Sequence, residues 1–203
     1  MVKRLFDITF SLFGLIVFSP ALLLIAFLIK KADDGPVFYK GLRVGRYGKP
    51  FIIYKFRTMV VNAEKIGGSS TADDDPRITK IGKSLRKYKF DELPQLINVL
   101  KGEMSFVGPR PQVSWAVGLY SEKEKLLLSV RPGITDYASI KFKNEAEILK
   151  GSDDPDGDYL EKIAPEKIRL GLEYVKKSSL WTDLKVIFAT IEALLRKTSQ
   201  EDV

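Results

Sequence analysis

The residues best able to do chemistry sit together in residues 89–111, KFDELPQLINVLKGEMSFVGPRP. Asp91 and Glu92 are adjacent carboxylates just before Pro94, and Leu93, Leu96, Ile97 and Leu100 follow in a periodic apolar run. Proline suits the first turn of a helix, so the pattern predicts both acids at a helix N-terminus. Free N–H groups and the helix dipole favour negative charge there, which keeps a carboxylate ionised and in place. Gly102 predicts the end of that helix, and Gly108-Pro109-Arg110-Pro111 predicts a stiff turn presenting one guanidinium. A carboxylate able to act as nucleophile or metal ligand, with an anion-binding arginine beyond it, points to phosphate chemistry. Acids at helix starts are also common as plain caps, and Pro-Arg-Pro as a plain turn, so residue types alone leave both readings open.

Other arginines could join such a site. Arg131 lies in VRPGIT (residues 130–135), a second rigid turn much like that of Arg110. Two such guanidinium forks suit bidentate phosphate contacts. Residues 37–39 and 51–56 are β-rich and bracket a glycine-rich turn, which predicts a hairpin. Lys55 and Arg57 alternate with apolar residues on its second strand, so their charges share one face. That face alone reads as a solvated one. Residues 79–88 predict a short basic helix running into the central stretch, which brings Arg86 near Asp91.

Composition narrows the chemistry. The chain of 203 residues has no cysteine and no histidine. Disulfides, thiol nucleophiles, Cys/His zinc sites, Ser-His-Asp triads and imidazole bases are therefore excluded. A metal here would be a hard cation held through oxygen, most naturally magnesium together with phosphate groups. The net charge of +7 implies an anionic partner: nucleic acid, an anionic lipid surface or a phosphorylated substrate. The glycines of residues 41–48 lack dinucleotide-binding spacing, and no P-loop is present.

Residues 8–29 are an apolar run long enough for a bilayer core, at ~20 residues for a span. Ser19-Pro20 interrupts it, and Lys3-Arg4 and Lys30-Lys31 flank both ends. Proline removes a ladder hydrogen bond, and the positive-inside rule keeps both flanks in the cytoplasm. A broken helix that enters one leaflet and returns meets both conditions. A single span tolerating its proline is the main alternative; a cleaved signal peptide lacks its processing site, and a buried core helix fits the length poorly. The predicted organisation is α+β. Residues 1–34 form a re-entrant membrane helix broken at Ser19 and Pro20. Residues 35–203 form a mostly helical cytosolic domain with a small hairpin or sheet.

The remaining elements are read as follows. Residues 60–76 predict a mobile polar loop, with Asp73-Asp74-Asp75 solvated, and the stretch after Pro111 predicts a helix through about Leu128. Residues 136–143 alternate like a strand, and residues 150–158 predict an acidic surface loop. Residues 165–177 predict a helix with a basic face. Residues 179–197 predict an amphipathic helix with Leu180, Leu184, Ile187, Phe188, Ile191 and Leu195 on its apolar side. Trp181 and Arg196-Lys197 suit a helix lying on a bilayer, and packing on the domain core is the equal alternative. Such helices are compatible with a homodimer without requiring one.

At DELPQLINVLKGEMSFVGPRP followed by RPGIT, the chain resembles bacterial sugar transferases of the monotopic phosphoglycosyl transferase family. The resemblance takes in the Ser-Pro break, YKFRTM and DPRITKIGKSLRKYKFDELPQL, and so covers nearly the whole chain. It implies transfer of a sugar-1-phosphate from a UDP-sugar to polyprenyl phosphate, releasing UMP, at the cytoplasmic face of the bacterial inner membrane. It implies Asp91 as nucleophile and Mg²⁺ ligand, with Glu92 as its supporting carboxylate. Arg57, Arg86, Arg110 and Arg131 are then the expected phosphate contacts, and membrane lipid rather than nucleic acid the expected environment. One departure stands out: where many relatives carry a Gly-Arg motif after RPGIT, this chain reads DYASIKFKNEAEIL, so the donor sugar is not fixed. Two non-catalytic readings are a basic nucleic-acid-binding module, which lacks a recognised motif, and a membrane-anchored scaffold whose acids are caps.

Overall fold

The computed structural model describes residues 1–68 and 70–201, with side chains described through Leu195. The chain opens with helices α1 (Val2–Val17) and α2 (Ser19–Ala32), then an antiparallel hairpin of β1 (Phe38–Val44) and β2 (Pro50–Phe56). α3 (Lys80–Lys87) and α4 (Gln95–Lys101) follow. Next come β3 (Ser105–Val107), α5 (Ser114–Gly118) and β4 (Gly133–Thr135), the two strands pairing in parallel. The chain closes with α6 (Tyr137–Lys141), α7 (Glu145–Ile148), α8 (Pro155–Asp158), α9 (Ala164–Lys177) and α10 (Leu180–Glu201). This is the α+β class read from the sequence: mostly helical, with two small sheets among the described residues.

α1 and α2 meet at Phe18 with a bend of 60°. Pro20 cannot donate into the helical ladder, and the Ser19 hydroxyl donates instead to the Ile16 carbonyl at 2.7 Å, so the break falls at Ser19-Pro20. Among the described residues no single helix is long and apolar enough to cross a membrane, but the bent pair together has the length and composition to do so.

α4 is the strut on which the site is mounted. Val99 packs with Phe51, Ile53 and Met104, which holds the helix against β2. Asn98, fully buried, donates to Ile52 O at 2.7 Å and accepts from Tyr54 N at 3.0 Å, stitching the same helix to the strand's backbone. Arg4 of α1 donates to Val99 O at 2.6 Å and Leu100 O at 2.7 Å, satisfying carbonyls that a helix end leaves unpaired. Gly102 then ends the helix in the left-handed region at φ 86°, as its position predicts.

The two arginine turns are pressed together. A Cβ on Gly133 would lie 2.1 Å from Gly108 N, and one on Gly108 would lie 2.3 Å from Arg131 O. Only glycine allows this approach, and it fixes where Arg110 and Arg131 start.

Three sequence expectations need correction. Within residues 136–143 the chain forms the helix Tyr137–Lys141 rather than a strand, because the Asp136 carboxylate accepts from Ser139 N and Ser139 Oγ, both at 2.7 Å, and caps α6. The helix expected through Leu128 is split into α5 and a 3₁₀ turn at Glu124–Ser129. Asp75 is not a solvated loop carboxylate: it grips Arg77 at 2.7 Å, and Arg77 in turn donates to the Ala63 and Gly68 carbonyls at 3.1 Å. α10 has two faces. Asp183 and Val186 are buried against the domain, whereas Trp181, Phe188, Ile191 and Leu195 are 67, 68, 49 and 65% exposed. One side of this helix therefore packs on the domain core, the second of the two expectations, and the other side leaves its apolar residues exposed; the side chains of Arg196 and Lys197 lie outside the described residues.

Candidate active site

The chain enters the site through Lys89, whose backbone is left-handed at φ 58°. That residue turns the end of α3 into a 3₁₀ turn, Phe90–Glu92, which carries both acids. Proline has no N–H to continue an α-helical ladder, so the segment closes with shorter bonds, Glu92 N to Lys89 O at 3.2 Å and Leu93 N to Phe90 O at 3.3 Å. Pro94 caps α4, and the acids lie one turn before that helix rather than inside it.

The two neighbours have opposite surroundings. Glu92 Oε1 accepts from Lys55 Nζ at 2.7 Å and from Arg110 Nη2 at 2.6 Å. Burial alone would raise its carboxyl, but Arg110 and Lys55 hold it well below the usual carboxylate range. Arg110 is held correspondingly higher by Glu92. Asp91 is 7% exposed, and its Oδ1 is buried with no hydrogen-bond partner. Burial pushes its carboxyl up, against Lys55, Arg86 and Lys89, while Glu92 adds to the rise. A buried carboxylate oxygen without a donor is unfavourable unless a ligand uses it. Glu92 is thus a neutralised strut joining β2 to the Arg110 turn, and Asp91 is the group with free reactivity.

Asp91 Oδ1 also tests the expectation of magnesium. No cluster of three or more acids among the described residues could hold a metal by itself. Magnesium bound with a diphosphate needs only one or two protein carboxylates, the other positions being phosphate oxygens and water. The donor set fits that mode and not an all-protein cage.

The sequence-predicted arginines divide. Arg110 touches Glu92, and Arg86, whose Nε donates to Thr58 Oγ1 at 2.9 Å, interacts electrostatically with Asp91. Burial lowers Arg86, opposed chiefly by Asp91. Arg57 is not brought to the acids: its buried guanidinium pairs with Asp33 and donates to Pro36 O at 2.6 Å and Met59 O at 3.3 Å, pinning the end of α2. Arg131 is placed apart as well, its Nε donating to Gly102 O at 2.7 Å, at the opposite end of α4 from the acids. The sequence reading passed over Lys55, whose strand alternation looks like a solvated face; the side chain is only 20% exposed because Glu92 lies over it. Its signal was the shared face with Arg57, which could not say what covers that face.

A family model described as bacterial sugar transferase matches residues 1–197. A Bacillus subtilis protein named uncharacterized sugar transferase EpsL is 38% identical over 96% of this chain and 88% of its own length. An undecaprenyl-phosphate galactose phosphotransferase of Salmonella typhimurium is 36% identical over 97% of this chain. A UDP-glucose:undecaprenyl-phosphate glucose-1-phosphate transferase of Escherichia coli is 38% identical over 94% of it. The match spans only 41% and 39% of those two longer relatives. Matched over nearly its whole length, the chain belongs to the bacterial sugar transferase family.

Proposed function

We propose that this chain transfers a sugar-1-phosphate from a UDP-sugar to polyprenyl phosphate, through a covalent aspartyl-phosphosugar intermediate on Asp91. The observation that carries this reading is the buried, unpartnered Oδ1 of Asp91 beside a Glu92 already neutralised by Lys55 and Arg110. An Asp91 oxygen attacks the sugar-bearing β-phosphorus, the bond to the bridging oxygen breaks, and UMP leaves with that electron pair. An oxygen of the lipid phosphate then attacks the same phosphorus and frees Asp91. Splitting the transfer in two gives ping-pong kinetics. Asp91, together with the donor's diphosphate, would hold magnesium, which would supply neutralisation of the charge that builds on the phosphate oxygens. Arg86, Lys89 and Lys55 surround Asp91 and orient the same oxygens.

The acceptor is a membrane lipid, and the anchoring of the bent pair supports a re-entrant insertion with residues 35–203 on the cytoplasmic face. At the start of α1, Lys3 pairs with Asp183 of α10, and after α2 Asp33 pairs with Arg57. Both ends are thus tied to one domain, while Phe13, Ile16, Phe18, Leu23 and Leu24 near the bend are exposed. A span would separate the ends by about 30 Å of hydrocarbon.

Two measurements test this. Protein in nanodiscs, given Mg²⁺, polyprenyl phosphate and a panel of UDP-sugars, is expected to release UMP with one or a few donors. EDTA should take release to background, and added Mg²⁺ should restore it. A lipid-independent or metal-independent rate overturns the mechanism, and no UMP with no phosphosugar adduct supports a scaffold instead. Because the chain lacks cysteine, Val2→Cys and Asp34→Cys give clean topology labels. Both are expected to react with an impermeant maleimide from the same side of the membrane; reaction from opposite sides would establish a span.

A further inference from the structure

We propose that the cavity on the far side of Arg110 receives the pyrimidine ring of the nucleotide donor, so that the diphosphate runs past Arg110 to Asp91. This rests on the transferase reading above. The cavity, about 210 Å³, lies between β1, α5, α6 and α9, and Arg110 is part of its wall. The same guanidinium holds Glu92 at 2.6 Å, so the cavity and the carboxylates share one residue. A ligand filling the first is within one phosphate chain of the second.

The chemistry of the wall selects the ring over the other parts of a nucleotide sugar. Val44, Val117, Leu127, Leu128 and Val130 make much of it apolar. Its charged groups are each engaged inside the protein: Lys167 pairs with Glu145, Arg110 with Glu92, Asp136 caps α6, and Glu124 accepts from Ser121 N and Oγ. A neutral, largely apolar enclosure offers little to a phosphate, whose partners Lys55, Arg86 and Lys89 lie on the Asp91 side. A hexose would bring hydroxyls to nearly every wall, each left without a partner where the wall is apolar. A pyrimidine presents two flat apolar faces and one polar edge of alternating carbonyl and N–H.

The polar groups present match that edge. Gln112 lines the cavity, and its amide carries donor and acceptor side by side. It is held in place: its backbone carbonyl accepts from Val44 N at 2.9 Å, and Nε2 donates to the Tyr159 hydroxyl at 3.1 Å. Lys167 lies 5.1 Å from the centre of the Tyr159 ring, which fixes an aromatic surface in the same wall. An apolar pocket with a few positioned polar groups is the usual form of a site for a flat heterocycle.

The test is equilibrium binding of UMP and of glucose 1-phosphate to the full chain in nanodiscs, with unfolding temperature as the check on folding. Val117→Trp fills the cavity, and Gln112→Leu removes the edge contact without filling it. Each is expected to weaken UMP by tenfold or more and leave glucose 1-phosphate within twofold. UMP affinity unchanged in both folded variants overturns the proposal, as does a loss confined to glucose 1-phosphate, which would give the cavity to the sugar. If Val117→Trp does not fold, Gln112→Leu alone decides. Parent protein that binds UMP in this way but releases none from any donor would sink the transferase reading while leaving the ring pocket in place.

Discussion

Asp91→Asn is expected to lower UMP release by at least about 10³-fold while leaving the protein folded and in the membrane. The substitution keeps the shape of the side chain and removes the charge that the proposed roles of nucleophile and cation ligand require. Its thermodynamic signature separates this loss from simple damage. Asp91 Oδ1 is buried without a hydrogen-bond partner, so the folded state gains little from it. Removing such a group leaves the unfolding temperature unchanged or slightly raised, the usual relation between a reactive site and the stability of its scaffold. Intact-mass analysis supplies the second readout: the parent accumulates a phosphosugar adduct when lipid is withheld, and the variant does not. Residual turnover above a few per cent, or an adduct that survives the substitution, would remove Asp91 from the centre of the mechanism. Glu92 is the contrasting case, because losing its charge strands Lys55 and Arg110 together and would lower stability as well as rate.

The second large effect is expected far from the chemistry. Asp183 is 1% exposed and accepts from the Tyr174 hydroxyl at 2.7 Å, while its other oxygen pairs with Lys3. Val107 O lies 3.0 Å from the same Tyr174 hydroxyl, an alternative acceptor for its one proton, and accepts from Lys3 at 3.2 Å. Burial, reinforced by Asp183, raises the Tyr174 phenol and keeps it a donor. Asp183→Ala leaves an ammonium and a buried hydroxyl facing an apolar gap. Because Lys3 is partly exposed, water recovers some of the loss, and about 2–3 kcal/mol is the expected destabilisation. For a chain of this size that lowers the unfolding temperature in micelles by about 5–10 °C. Tyr174→Phe, which keeps the ion pair, should lose only about 1 kcal/mol. Asp183→Ala melting within a degree of the parent would mean the cluster contributes nothing to holding α1.

What could be read from the sequence was whatever short-range chemistry decides. The Ser19-Pro20 break, the stop at Gly102 and the hairpin all follow from residues close together in the chain. What resisted reading was decided by distant partners. Arg110 and Arg131 stand in nearly the same local context, each beside proline in a rigid turn, yet one meets Glu92 and the other the Gly102 carbonyl. The glycine precedes Arg110 and follows Arg131, but that difference does not say which partner each guanidinium meets across the fold. Lys55 was illegible for the same reason, since its partner arrives from residue 92. Residues 136–143 misled because an alternation of eight residues fits a short helix as well as a strand, and the capping carboxylate decided between them.

The contact between Lys3 and Asp183 joins positions 180 apart in the chain. At a ribosomal rate of about 5–20 residues per second, α1 is made on the order of 10–40 s before the residue that fastens it. During that interval α1 is held on the domain by its contacts to residues 99–106, Arg4 on the Val99 and Leu100 carbonyls and Asp7 on Ser105. The contact to α10 is therefore the last to form, a latch that closes only once residue 183 has been made. A chain that stalls before residue 183 carries both acids and Arg110 and keeps Arg4 on α4, but lacks the contact that ties α1 to α10.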